Sequence, residues 1–247
     1  MPVDAYEGVL VAAVFLGAVV QGFSGFAFSA VAGAILLQVQ SPASAIPLLM
    51  ICSLLIQGYV LVKLRGVISL RGSLPYIAGG SAGVILARLA FDLIDPHVFR
   101  PMFGAFLMLY AFSTLLRPRT LLSAKERPAA KTAVGFAGGF IGGLTAMPAV
   151  ALVIWGDANG MPRLAQRAII QPFIAAMQSL ALLFLLLTAP ATTEGTMQHL
   201  PFALPALFAG AALGLFLFGR VSDAGFRRAV SVLLLCSGIA LMAFGRL

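Results

Sequence analysis

The chain is predicted to be an all-α polytopic membrane protein. It reads as two inverted repeats, each a broken or re-entrant helical hairpin followed by three transmembrane helices. Three observations carry this. From Gly8 to Val62 there is no Asp, Glu, Lys or Arg; a charge at the centre of a spanning helix is expensive, and lipid leaves every backbone amide to be bonded internally. The longest apolar runs are interrupted midway by glycine-rich polar tips, Gln21-Gly22-Phe23-Ser24-Gly25 and Gly142-Gly143-Leu144-Thr145-Ala146. Finally, those tips and the residues after them recur along the chain at a fixed offset.

Composition bounds the same reading. Apolar residues make up 61% of the 247 residues, against about half in globular chains, and the mean hydropathy is +1.04. That length accommodates roughly eight crossings of about 20 residues each and leaves no polar stretch long enough for a soluble domain. The formal net charge of +8 does not argue for nucleic acid, because Lys and Arg accumulate in the cytoplasmic loops of membrane proteins. Cys52 and Cys236 lie in apolar segments without metal-ligand spacing and read as inert buried thiols. Asp4 and Glu7 precede the first apolar run, which argues against a cleaved signal peptide.

Charged or Pro/Gly borders delimit eight apolar segments. The first repeat, residues 1–120, opens with a hairpin over 8–38, long enough to hold two half-helices around its break. Helices follow over 43–62, which carries Gln57, over 72–87, which carries Gly79 and Gly83 and ends at Arg88, and over 98–116. A basic linker from Arg117 to Lys131 with Pro118 and Pro128 then separates the halves. The second repeat, residues 121–247, has its hairpin over 132–156. Its helices run over 168–189, which carries Gln171 and Gln178, over 200–219, which carries Gly210 and Gly214 and reaches Arg220, and over 229–244.

A shift of 121 positions sets Gly17 on Gly138, Gly22 on Gly143, Ser24 on Thr145 and Gln57 on Gln178. With small gaps, Gly79, Gly83, Arg88, Asp95 and Phe99-Arg100 correspond to Gly210, Gly214, Arg220, Asp223 and Phe226-Arg227. Glycines coincide cheaply in apolar sequence, but two intramembrane glutamines at the offset of the two breaks do not. Interrupted apolar segments at matching places in two halves point to a transporter's binding site.

Charge counting favours the hairpins. If all eight segments crossed, with the N-terminus inside, nine basic residues would lie in inner loops and seven outside. With the first and fifth segments re-entrant and the N-terminus outside, only Arg88, Arg100 and Arg246 stay outside and the other thirteen lie inside, Arg163 and Arg167 among them. Each half then has three crossings, and an odd number inverts the second half relative to the first.

Broken helices of this kind make anion sites from unsatisfied backbone N–H groups and the positive end of the helix dipole. Ser24 and Thr145 are expected where the second half-helix begins, as hydroxyl donors. Gly22, Gly25, Gly142 and Gly143 are expected to permit positive φ and close approach of a ligand. Gln21, Phe23, Ala146 and Met147 complete the two tips, which would meet around one cavity. Gln57 and Gln178 fall mid-segment, where an unpaired amide is costly, and serve as ligands or as structural glue. Arg88 and Arg220 end equivalent helices, as snorkelling residues or as guanidinium groups that attract anions at each mouth. Gly79, Gly83, Gly210 and Gly214 read as small-residue packing notches.

In this order and duplication, the Gly-x-x-Ser-Gly-type break, the helix carrying an amide and the Gly-x-x-x-Gly helix ending near Phe-Arg resemble the TauE/SafE sulfite-exporter family of membrane permeases. The resemblance runs through Gln21–Phe28, Gln57, Gly79–Gly83, Gly138–Pro148, Gln178, Gly210–Gly214 and Phe226–Arg228. It implies a small anionic substrate such as sulfite, an organosulfonate, thiosulfate or a sulfoacetate-like compound, moved across the cytoplasmic membrane. The first tip departs from many relatives in reading Phe26-Ala27-Phe28-Ser29, and the amides are Gln rather than Asn.

No carboxylate lies in the middle of an apolar segment and no Walker motif is present, so neither a proton relay nor ATP use is visible. A coupling proton or sodium ion and a homodimer stay open, and no cofactor is expected. The competing classes are a non-transporting membrane accessory protein and an intramembrane enzyme using Ser24. The latter lacks a nucleophile elbow and a His or Lys partner in the bilayer.

Overall fold

A computed structural model describes residues 3–91, 93–115, 127–188 and 191–218, and beyond them 220, 228, 231–232, 234–236, 238–239 and 242–243. Arg117–Glu126 of the linker, Asp92, Asp223, Phe226, Arg227, Arg246 and parts of the segment over 229–244 lie outside these residues. Every regular element described is helical, as a chain without water for its amides requires. The helices are α1 (Val3–Ser24), α2 (Phe28–Val39), α3 (Pro42–Lys63), α4 (Leu70–Phe91), α5 (Pro96–Leu115), α6 (Pro128–Thr145), α7 (Val150–Ala158), α8 (Arg163–Thr188) and α9 (Ala191–Leu217). Of the described helices, α1, α3, α4, α8 and α9 are long and apolar enough to cross a membrane. Their surface is apolar too: Val62 and Leu187 are 71% exposed, an arrangement suited to lipid rather than water.

Two boundaries differ from expectation for one reason. Charge marks where side chains can leave hydrocarbon, whereas the helix begins where the backbone turns. Thus α8 begins at Arg163, directly after Pro162, and Arg163 and Arg167 belong to the helix rather than to a loop. Likewise α9 begins at Ala191 rather than Leu200. Cys236 is exposed, not buried, since a lipid-facing segment has no need to hide an apolar thiol; Cys52 is buried.

The chain divides into two compact units, and each takes helices from both halves of the sequence. The first contains α1, α2, α3 as far as Ile56, α5 and α9. Here α2 folds back along α1, with Gly17 against Phe28 and Ala32. The backbone of α9 presses on the other side of α1: a Cβ at Gly22 would stand 2.5 Å from the Ala211 carbonyl oxygen, and one at Gly210 would stand 2.5 Å from that of Phe15. Gly33 brings α2 against Leu49 of α3 and Phe103 of α5.

The second unit contains the end of α3 from Gln57, together with α4, α6, α7 and α8. In it α7 folds back on α6, with Gly138 against Pro148 and Leu152. Helices α4 and α6 meet backbone to backbone, Gly79 on Thr132, Gly83 on Phe136 and Gly139 on Gly80, as small-residue seams in membranes do. Phe173 and Met177 of α8 close over Gly80. Pro172 interrupts α8 and deprives the Ala168 carbonyl of its helical donor; the Ser69 N–H supplies one at 3.0 Å.

Candidate functional site

Each hairpin ends in the same local structure. Ser24 is the last residue of α1 and its Oγ donates to the Val20 carbonyl at 2.7 Å; Thr145 is the last of α6 and its Oγ1 donates to the Ile141 carbonyl at 2.7 Å. The next residue closes the helix, Gly25 N–H donating to Gln21 O at 2.7 Å and Ala146 N–H to Gly142 O at 2.8 Å. Both closing residues are left-handed, with φ 91° at Gly25 and 57° at Ala146. Donors, acceptors and left-handed residues in the two tips are all 121 positions apart.

This geometry corrects two expectations. Ser24 and Thr145 finish the first half-helix instead of starting the second, each hydroxyl bonding back to the carbonyl one turn earlier in its own helix. Among the tip glycines only Gly25 has positive φ. Gly22, Gly142 and Gly143 are helical, and neighbours fill the space a ligand would need: α9 at Gly22, Pro148 at Gly142 and Ala87 at Gly143. Phe23 is also a packing residue, edge-on to Phe218 with ring centroids 6.4 Å apart. Ala146 and Met147 are both buried in the turn.

Different residues open the second half-helices. In the first hairpin Gln21 reaches across the break, its Oε1 accepting the Phe28 N–H at 3.1 Å. Ser29 follows in the first turn of α2, and its buried Oγ has no hydrogen-bond partner. In the second hairpin Pro148 precedes α7, whose N-cap residue Ala149 makes no side-chain cap. Sequence reasoning passed over Ser29, although a hydroxyl just inside a half-helix was the available signal.

The glutamines differ despite their matching positions. Gln57 donates through Nε2 to the carbonyl oxygen of Gln171, at 2.8 Å, and to its Oε1. Gln178 donates through Nε2 to the Ala146 carbonyl at 3.3 Å, so its amide head lies at the second break. Arg167, Gln171 and Gln178 are spaced by one and two turns on one face of α8, and all three are buried. Helical spacing offered this stripe, but Arg167 read as a loop charge hid its first member.

Arg88 and Arg220 are held by local contacts. Arg88 Nε donates to Thr188 Oγ1 at 2.9 Å. Arg220 donates to the Phe216 carbonyl at 2.9 Å and lies 3.7 Å over the Phe216 ring. Among the described residues no cluster of His, Cys, Asp and Glu could hold a metal ion.

Membrane-length apolar helices and two broken helical hairpins define a polytopic membrane protein of the permease class. The sequence profile described as Sulfite exporter TauE/SafE matches residues 10–241. The chain belongs to this family of membrane transporters. No curated protein and no solved structure matches it.

Proposed function

We propose that the protein is a secondary transporter or facilitator of a small oxyanion, of the sulfite, organosulfonate or carboxylate type, in the cytoplasmic membrane. The observation that carries this reading is the pair of congruent breaks. Each presents the N-terminus of a second half-helix in a buried turn, where the helix dipole favours an anion without an ion pair. In the first tip the Ser29 hydroxyl adds a donor; in the second unit the buried face of α8 adds Arg167, Gln171 and Gln178. The donors at the tips themselves are neutral and hold an anion moderately, which suits a carrier that must also release it. The family's name supports sulfite or a chemical relative as the substrate.

Flux of sulfite, thiosulfate, methanesulfonate and small carboxylates through purified protein in liposomes tests the proposal. Transport of at least one sulfur oxyanion above protein-free vesicles is the expected result. Impermeability to the whole panel would favour a non-transporting accessory protein. The enzyme reading is weakened by Ser24, whose hydroxyl donates to the Val20 carbonyl while its Oγ accepts from the Phe26 and Ala27 N–H groups.

A further inference from the structure

We infer that the second tip recognises an oxyanion in its protonated, monoanionic form, and that Gln178 is the residue that reads the proton. The inference rests on the tips being anion-binding elements. Gln178 is 1% exposed. Its Nε2 faces the Ala146 carbonyl at 3.3 Å, and this fixes the amide: reversed, it would set two oxygens against each other. Oε1 is therefore the amide atom turned away from that carbonyl, and it is buried with no hydrogen-bond partner. A buried acceptor left unmade is costly, so the site needs a donor there.

The first turn of α7 offers donors. Val150, Ala151 and Leu152 are the first residues of α7, whose N–H groups have no intrahelical acceptor, and no side chain of the N-cap covers them. A fully deprotonated oxyanion would satisfy these N–H groups and be repelled by Oε1. An anion that keeps one hydroxyl, such as hydrogensulfite, has acceptors for the N–H groups and a donor for Oε1. The acceptor thus selects by protonation state, a discrimination that N–H groups and a helix dipole cannot make alone. Burial of Ala146, Met147 and Val150, each 2% exposed, keeps the hydrogen bond out of competition with bulk water.

The test compares hydrogensulfite with methanesulfinate, which has the same charge and a methyl group in place of the hydroxyl. Binding of each is measured at one mildly acidic pH to purified full-length wild-type protein and to Gln178→Met, which keeps the length of the side chain and removes the acceptor. The expected result is a wild-type preference for hydrogensulfite of about five- to tenfold, the worth of one hydrogen bond, reduced to less than twofold in Gln178→Met. Equal wild-type affinity for the two anions would overturn the inference while leaving the transport reading intact, and needs no variant to fold. A preference that survives in Gln178→Met would also overturn it. Binding of neither anion would overturn both this inference and the transport reading.

Discussion

Ala146 holds a left-handed backbone, φ 57° and ψ 25°, that disfavours any residue with a Cβ, whereas Gly25 takes the matching position freely. Ala146→Gly is therefore expected to stabilise the protein by about 1 kcal/mol, read as a higher midpoint of thermal unfolding in detergent; a lower midpoint would mean that the Ala146 methyl group packs more favourably than its backbone strains. The hydroxyls make a second contrast. Ser29 Oγ has no partner, so Ser29→Ala should weaken anion binding by about 1 kcal/mol, a neutral hydrogen bond's worth. Ser24 and Thr145 already donate to carbonyls in their own helices, so alanine there should change affinity by less than twofold. Isotherms in which Ser24→Ala is the damaging variant would reverse this assignment.

The seams between helices have consequences on a larger scale. A Cβ at Gly79 would collide with the Thr132 carbonyl, and one at Gly58 would meet open space. Gly79→Ala should accordingly destabilise by about 3 kcal/mol through overpacking, and Gly58→Ala should be nearly silent; comparison of their yields of monodisperse protein after heating would check this. These seams also mark how far the sequence could be read. Uncharged runs identified the helices, and Gly79, Gly83, Gly210 and Gly214 were legible as packing notches from their spacing. The partners were not, because spacing does not say which backbone lies opposite: Gly83 faces Phe136 and Gly210 faces Phe15, residues 121 apart. In the repeat alignment Gly83 therefore corresponds to Gly210, four positions from the register that glycine matching suggested. At the tips the break itself was legible from Gly-rich polar sequence. Gln21's cap on Phe28, Ser29's orphan hydroxyl and the burial of Arg167 were not, since each depends on a fold-back or a neighbouring helix.

The proposed transport cycle requires a definite topology, with the linker and the turn after α7 on the cytoplasmic side. A single cysteine at Asn159, in a Cys52- and Cys236-free background, should resist a membrane-impermeant thiol reagent in intact cells and react after permeabilisation. Labelling from outside would restore eight simple crossings. The most direct measurement is sulfite flux through proteoliposomes containing wild-type protein or Gly25→Val, matched for insertion and monodispersity. Valine cannot comfortably adopt the φ of 91° at the first tip, so the half-helix N-terminus that begins three residues later would be displaced. Saturable flux in the wild type, reduced at least about tenfold in the variant as expected for a misplaced binding element, is the predicted result. Equal flux in both, or none in the wild type, would contradict transport through the broken-helix tips.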